Sequence, residues 1–350
     1  MSLFDHHEFA GHERVIHVSD AATGLRSIIA IHDRTLGPAV GGCRVFPYAG
    51  EADALTDVLR LSKGMTYKCA RAGLPFGGGK SVIIADPADK TPELIRAFGR
   101  AVNELHGQYW TGEDINFGIA DAEIMAGATP YVLGRTKGVV NTGDPSPFTA
   151  GGVFAAMKGA LRHAFGSDDL TGRRVAIQGV GNVGLHLAKL VIDGGGEALV
   201  SDVRRESADR AAKLGAAIVV PDSIFTQECD VFAPCAMGGT INAATIPVLR
   251  CRIVCGAANN QLDVPECGQM LLDRGIAYAP DYVANSGGIL NAFGDFTGHH
   301  DIDEVWRKVE AIADTIEAIL DSSVRDKRPS SAIADEMAEA VLAQARAGGG

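Results

Sequence analysis

The sequence predicts a two-domain α/β protein whose second domain carries a doubly wound, mostly parallel sheet. Three observations lead there. The chain has 350 residues, more than one hydrophobic core usually serves. From residue 173 onward, short apolar runs alternate with helical stretches or loops, the pattern of a parallel sheet with helical crossovers. A glycine-rich turn separates the first of those runs from the helix that follows it.

The elements follow in chain order. Residues 14–18 and 26–32 read as strands. Residues 52–63 read as a helix, because Ala54, Leu55, Val58, Leu59 and Leu61 recur at near-helical spacing. A second helix is expected over 92–105, with Pro92 suited to its first turn. The later half opens with a strand at 173–178, a helix at 182–192 that carries Val183, Leu187, Leu190 and Val191 on one side, and a strand at 197–201. Further strands are expected at 216–220, 230–233, 252–255 and 275–279. The last fifty or so residues, from Asp301, are helical by periodicity and end in a glycine tail. The expected division is 1–140 and 141–324, with the helices of about 325–350 packing back on the first domain.

Composition excludes several classes. Apolar residues make up 46% and charged residues 21%, as in a soluble globular protein. The net charge of −11 disfavours nucleic acid and anionic membrane, which need clustered Lys and Arg. No apolar run approaches the ~20 residues of a membrane span, and the start lacks the basic and apolar regions of a signal peptide. The seven cysteines include no Cys-x-x-Cys pair, which fits reduced thiols in the cytoplasm. The adjacent pairs His6–His7 and His299–His300 lack the spacing of metal ligands, so no metal is expected.

Gly179-Val180-Gly181-Asn182-Val183-Gly184 matches Gly-x-Gly-x-x-Gly. The motif alone is weak, but here it follows a strand, opens a helix and is trailed by a second strand that ends at Asp202. That is the context of a Rossmann-type dinucleotide site. Gly179 permits the tight turn, Gly181 lets backbone approach a pyrophosphate, and Gly184 allows close helix–strand packing. The helix N-terminus offers free N–H groups to the phosphates. Asp202 would accept hydrogen bonds from the adenosine ribose and repel a 2′-phosphate, so NAD is expected over NADP. Arg204 and Arg205 cut the other way, because an arginine there can bind that phosphate.

Two lysines stand twelve residues apart, Lys68 and Lys80, the latter after Gly77-Gly78-Gly79. A glycine run costs backbone entropy and usually marks a close backbone approach, although a flexible surface loop is the plainer reading. A phosphate loop fails because its first glycine would fall on Leu74.

The segments Ile31–Gly42, Met65–Lys68, Gly77–Lys80, Gly179–Gly184, Ala233–Cys235, Gly256–Gln261 and Pro280–Gly288 together resemble the leucine/phenylalanine/valine dehydrogenase family, a branch of the glutamate dehydrogenase superfamily. The resemblance runs in order from about Leu25 to the C-terminal helices. It implies NAD-dependent oxidative deamination of an apolar L-amino acid to its 2-oxo acid and ammonia, reversibly, in a closed homo-oligomer whose two domains form a closing cleft. It places Lys68 on the substrate α-carboxylate, Lys80 as the catalytic lysine and Asp114 as its acidic partner in proton transfer. Thr149, Ala258 and Asn259 would lie by the nicotinamide, Asn260 would bind substrate, and Asn285 would lie near the site. The chemistry is consistent: hydride departure from Cα leaves an iminium, and water attacking it needs a base, a role open to a lysine whose pKa nearby positive charge depresses.

The same resemblance bears on the substrate. Glutamate dehydrogenases carry a lysine where this chain has Val40, before Gly41 and Gly42. A glutamate side chain would bury an unpaired carboxylate there. An apolar pocket lined by Val40, Gly112, Ile289 and Ala292 is expected. The leucine enzymes resemble this pocket, but the small Gly112 and Ala292 enlarge it enough to admit an aromatic side chain, so leucine and its branched-chain relatives rank only just ahead of phenylalanine or tryptophan. A catalytically silent NAD sensor and a 2-hydroxy-acid dehydrogenase are the rival readings. The second wants a catalytic histidine, and beyond His32 the matched segments offer only the nearby His186, on the dinucleotide helix.

Overall fold

The computed structural model describes residues 2–135 and 142–348. The chain divides into two compact units, Met1–Asp144 with Ala292–His300 and Ala338–Gly350, and Pro145–Asn291 with Asp301–Met337. The boundary expected at 140/141 lies outside the described residues. Of the C-terminal stretch expected to pack back on the first domain, residues 338–350 group with the first unit, whereas 325–337 stay with the second. Ala292, expected in the second domain, groups with the first unit. Among the described residues, no helix is long and apolar enough to cross a membrane.

The first unit is built on a six-stranded mixed sheet: β1 (Arg14–Asp20), β2 (Leu25–Asp33), β3 (Ala39–Val40), β4 (Cys43–Phe46), β5 (Gly77–Ile84) and β6 (Tyr109–Trp110). The order is β1-β2-β5-β3-β6, with β4 also paired to β5. Pairing is antiparallel for β1–β2 and β2–β5 and parallel for the rest. Alternation along the strands sorts the core. Ile28, Ala30 and Val82 face α1 (Glu51–Arg71), where Ala54, Val58 and Leu59 meet them. Ile29, Ile31, Val45 and Ile83 pack on the opposite side with α2 (Pro92–Asn103) and α3 (Ile119–Ala126), through Leu94, Phe98, Ala122 and Met125.

Two expectations change here. The helix expected to end at 63 continues to Arg71, because Ser62, Thr66 and Lys68 are buried polar residues that hide its inward stripe from a hydropathy reading. The glycine run is neither a loop nor exposed. Gly77, Gly78 and Gly79 are buried in the central strand, where a Cβ would stand 2.1 Å from the Asp33 carbonyl oxygen, 2.1 Å from the Thr66 nitrogen and 2.7 Å from the Tyr109 ring, respectively.

The second unit contains α4 (Ser146–Phe165), β7 (Arg174–Gln178), α5 (Asn182–Asp193), β8 (Glu197–Ser201), α6 (Arg205–Ala212), β9 (Ala217–Ile218), β10 (Val231–Pro234), β11 (Ile253–Val254), α7 (Glu266–Asp273), β12 (Ala277–Tyr278) and α8 (Asp281–Ala284). After these come α9 (Gly287–Thr297), α10 (Ile302–Glu310), α11 (Ile312–Asp326) and α12 (Ser330–Gly348). Both α9 and α12 run from the second unit into the first. The sheet is wholly parallel, in the order β12-β11-β10-β7-β8-β9. Strand order therefore reverses between β7 and β10, the switch point at which α/β sheets of this order bind nucleotides.

Candidate functional site

In the first unit the site residues lie on the α1 face of the sheet. Lys80, on β5, has the parity of Val82 and so faces α1. Arg44, on β4, has the opposite parity to Cys43 and Val45, which are in the other core layer. Lys68 is buried in the last turns of α1. Lys80 Nζ forms a buried ion pair with Asp114 Oδ2. Arg44 Nη2 stands 3.7 Å from Asp114 Oδ1. Burial alone would raise the Asp114 pKa, but the Lys80 ammonium and the Arg44 guanidinium outweigh it and hold this carboxyl well below the usual range.

Local backbone fixes Asp114. Asp114 N donates to Phe117 O at 3.1 Å and Phe117 N to Asp114 O at 3.0 Å, closing a tight turn. Asn116 occupies that turn at φ +59, and its carboxamide donates to Val45 O at 2.9 Å. Asp114 Oδ1 accepts from Ile115 N at 2.6 Å.

Gly41 and Gly42 bridge β3 and β4. A Cβ on Gly41 would lie 1.8 Å from the Gly79 carbonyl oxygen, and one on Gly42 would lie 2.3 Å from the Glu113 carbonyl oxygen. These glycines bring the Lys80 strand and the Asp114 segment together. Val40 is buried and pairs with Gly78 and Trp110. Gly112 differs from the others: the nearest atom to a Cβ there is Leu133 Cβ at 3.5 Å, an ordinary contact, so packing does not demand a glycine. Next to Ala292, the α9 residues Phe293 and Phe296 meet Phe76 edge-on, and Phe296 also meets Trp110. Sequence reading missed Arg44 and its partner Asp57, whose signal was a charged residue on the apolar stripe of a helix.

In the second unit the glycine motif has the geometry of its fingerprint. Gly179 sits at φ +89. A Cβ on Gly184 would be 2.0 Å from the Gly179 carbonyl oxygen, whereas one on Gly181 would meet nothing nearer than Arg204 Nη2 at 3.9 Å. No side chain caps the N-terminus of α5. Val180 is buried, Val183 half-buried and Asn182 exposed. Asp202 shapes the turn: Oδ2 accepts from Val180 N at 2.9 Å and Oδ1 from Arg204 N at 2.8 Å.

Several of the other expected residues of this unit are held by hydrogen bonds. Thr149 Oγ1 donates to Pro145 O at 3.1 Å, in the first turns of α4. Ala258 N donates to Pro234 O at 2.9 Å. Asn285 is buried, and its Nδ2 donates to Asn259 Oδ1 at 2.9 Å and Ala257 O at 3.1 Å. Asn260 adopts φ +51. Ile289 is half-buried on α9.

A buried lysine–aspartate pair in one unit and a glycine-fingerprint parallel sheet in the other are the parts that a nucleotide-dependent dehydrogenase needs. The dimerisation-domain profile of the Glu/Leu/Phe/Val dehydrogenases matches residues 12–131. That of Glutamate/Leucine/Phenylalanine/Valine dehydrogenase matches 144–207 and 199–297. Leucine dehydrogenase of Geobacillus stearothermophilus is 46% identical, over 97% of this chain and 93% of its own. Valine dehydrogenase of Streptomyces virginiae is 43% identical, over 97% and 96%. The crystal structure of L-tryptophan dehydrogenase from Nostoc punctiforme superposes with a TM-score of 0.78 at 41% identity, covering 96% of this chain and 97% of that one. The chain belongs to the Glu/Leu/Phe/Val dehydrogenase family and is an amino-acid dehydrogenase.

Proposed function

We propose that this enzyme oxidatively deaminates leucine and related branched-chain L-amino acids with NAD, releasing the 2-oxo acid and ammonia, and runs reversibly. The observation that carries the reading is the buried Lys80–Asp114 ion pair on the α1 face of the first sheet. Lys68 anchors the substrate α-carboxylate as a charge-assisted partner. Val40 presents an apolar wall that a glutamate side chain could meet only with an unpaired carboxylate.

The nucleotide site fits a dinucleotide: Gly181 leaves open space where a pyrophosphate must approach, and α5 presents its uncapped N-terminus. The Asp202 carboxylate opposes a 2′-phosphate and so favours NAD. A bound nicotinamide supplies the two-electron acceptor for the hydrogen on Cα. Lys80 Nζ then takes a proton from the water whose oxygen adds to Cα. It returns that proton to the nitrogen and then takes the proton of the new hydroxyl group, so that the carbonyl forms as ammonia leaves. Asp114, kept anionic, balances the charge that Lys80 gains and loses.

Absorbance of NADH with leucine, isoleucine, valine, phenylalanine, tryptophan and glutamate tests the reading, with NAD and NADP in parallel. The expected result is activity on the branched set with NAD, and at least about tenfold lower kcat/KM with NADP, a difference of about 1.4 kcal/mol. Preference for the aromatic pair keeps the mechanism and makes Gly112, where packing does not demand a glycine, the specificity determinant. No turnover of any amino acid, with NADH still bound, overturns the proposal.

A further inference from the structure

We propose that Arg44 is a positioning residue for this chemistry: clamped by Asp57, its guanidinium is a permanent second cation that keeps Asp114 ionised and in place whenever Lys80 is neutral. The inference rests on the proposed deamination and adds a residue to it.

The geometry has three parts. Arg44 Nη1 donates to Asp57 Oδ2 at 2.8 Å, and the same oxygen accepts from Tyr48 Oη at 2.5 Å. The guanidinium is therefore fixed from the α1 side. Its Nη2 stands 3.7 Å from Asp114 Oδ1, an ion pair that a shift of about 1 Å would turn into a hydrogen bond. Its Nε is buried without a hydrogen-bond partner among the described residues. The arginine thus keeps donor capacity in reserve beside a carboxylate it does not yet hydrogen-bond.

The chemistry gives that reserve a purpose. Lys80 must be neutral to take a proton from water. At that moment Asp114, with a side chain only 9% exposed, loses its close counter-charge. An isolated buried carboxylate is costly and would pick up a proton instead. Arginine stays charged throughout the accessible pH range. The other titratable groups that sense Asp114 cannot substitute for it. Burial pushes the Cys43 thiol up to about 12 and the Tyr109 phenol higher still. The Tyr48 phenol is also raised, first by burial and then by Asp57. Lys80 from β5 and Arg44 from β4 are the cations that hold the carboxylate down.

The test is the pH profile of kcat for the wild type, R44Q and R44K, with NADH affinity and thermal melting measured on each. R44Q should lower kcat at least about tenfold and move the acid limb of the profile upward by about one pH unit, while NADH affinity holds within about twofold. The limb rises because a buried site that loses a fixed positive charge takes up a proton more readily. R44K keeps the charge and should hold the limb near its wild-type position. An unmoved limb in R44Q, or a limb in R44K displaced as far as in R44Q, reduces Arg44 to packing and overturns the inference. If R44Q does not fold, Asp57→Asn decides: releasing the clamp should lower kcat several-fold with the limb in place, and unchanged kcat overturns the proposal. A wild-type enzyme that oxidises no amino acid defeats the proposed function before any variant is made. A normal wild type with an unmoved R44Q limb defeats the Arg44 role alone.

Discussion

Gly181 and Gly184 sit three residues apart in one motif, yet the structure requires them for different reasons. A methyl group on Gly184 would collide with the Gly179 carbonyl oxygen at 2.0 Å, and that atom is backbone that cannot swing aside. Gly184→Ala should therefore destabilise the second unit by about 1–3 kcal/mol, read as a lower midpoint of chemical unfolding. Gly181 has a negative φ, −65, outside the left-handed region that favours glycine, and its Cβ would meet only the tip of the Arg204 side chain, at 3.9 Å. Gly181→Ala should leave stability within about 0.5 kcal/mol but weaken NADH binding at least about tenfold in a fluorescence titration. Equal affinity in Gly181→Ala and wild type would mean that the open space is not where the pyrophosphate lies. The motif itself was plain in the sequence, because turn, strand and helix must all be local to it. The turn-forming role of Asp202 was not, because its bond to Val180 N joins residues 22 positions apart.

At the scale of elements, α1 shows why part of the site was hidden. Its inward stripe mixes Ala54, Val58 and Leu61 with Asp57, Ser62, Thr66 and Lys68, so hydropathy ended the helix at 63 and left Lys68 outside it. Those polar residues are satisfied across the fold. His12 Nε2 lies 3.0 Å from Ser62 Oγ and 3.1 Å from Leu59 O. His32 Nδ1 lies 2.8 Å from Thr66 Oγ1, and the two imidazoles meet edge-on at 4.8 Å. Burial, reinforced for His12 by the neighbouring His32, lowers both pKa values from 6.5 to about 4. Between those two pH values the folded chain binds fewer protons than the unfolded one. Stability contributed by the pair is thus complete above about pH 6.5 and is lost as pH falls toward 4, at up to about 1.4 kcal/mol per pH unit for each histidine. Asp114 acts in a lower window, since its depressed pKa removes stability only as pH falls below 3.8. Chemical denaturation from pH 7.5 to 4.5 should show that slope, and His32→Gln should roughly halve it. A flat profile in the wild type would mean that the histidines can charge without loss of their partners.

For the whole molecule, the sequence disclosed the strand–helix alternation of the second unit because each strand and its crossover are neighbours in the chain. It disclosed less of the first unit. The central strand β5 begins with three glycines, which no propensity would assign to a strand, and only Asp33, Thr66 and Tyr109, brought in from elsewhere, explain them. The sheet these glycines centre on ends at β1, an edge strand of seven residues that pairs only with β2 among the described residues. Its exposure alternates between exposed and half-buried. A long edge with unpaired N–H and C=O groups is normally blunted or covered, and β1 lies inside the segment matched by the family's dimerisation domain. The chain is therefore expected to form a closed homo-oligomer through its first unit. Light scattering at micromolar concentration should give an even multiple of the single-chain mass. Proline at Ile16, which removes a backbone donor in the middle of β1, should lower that mass or the temperature at which it persists. A wild-type mass of one chain, with full activity, would sink the expectation and leave the edge to be guarded by its own polar side chains, Arg14, His17 and Asp20.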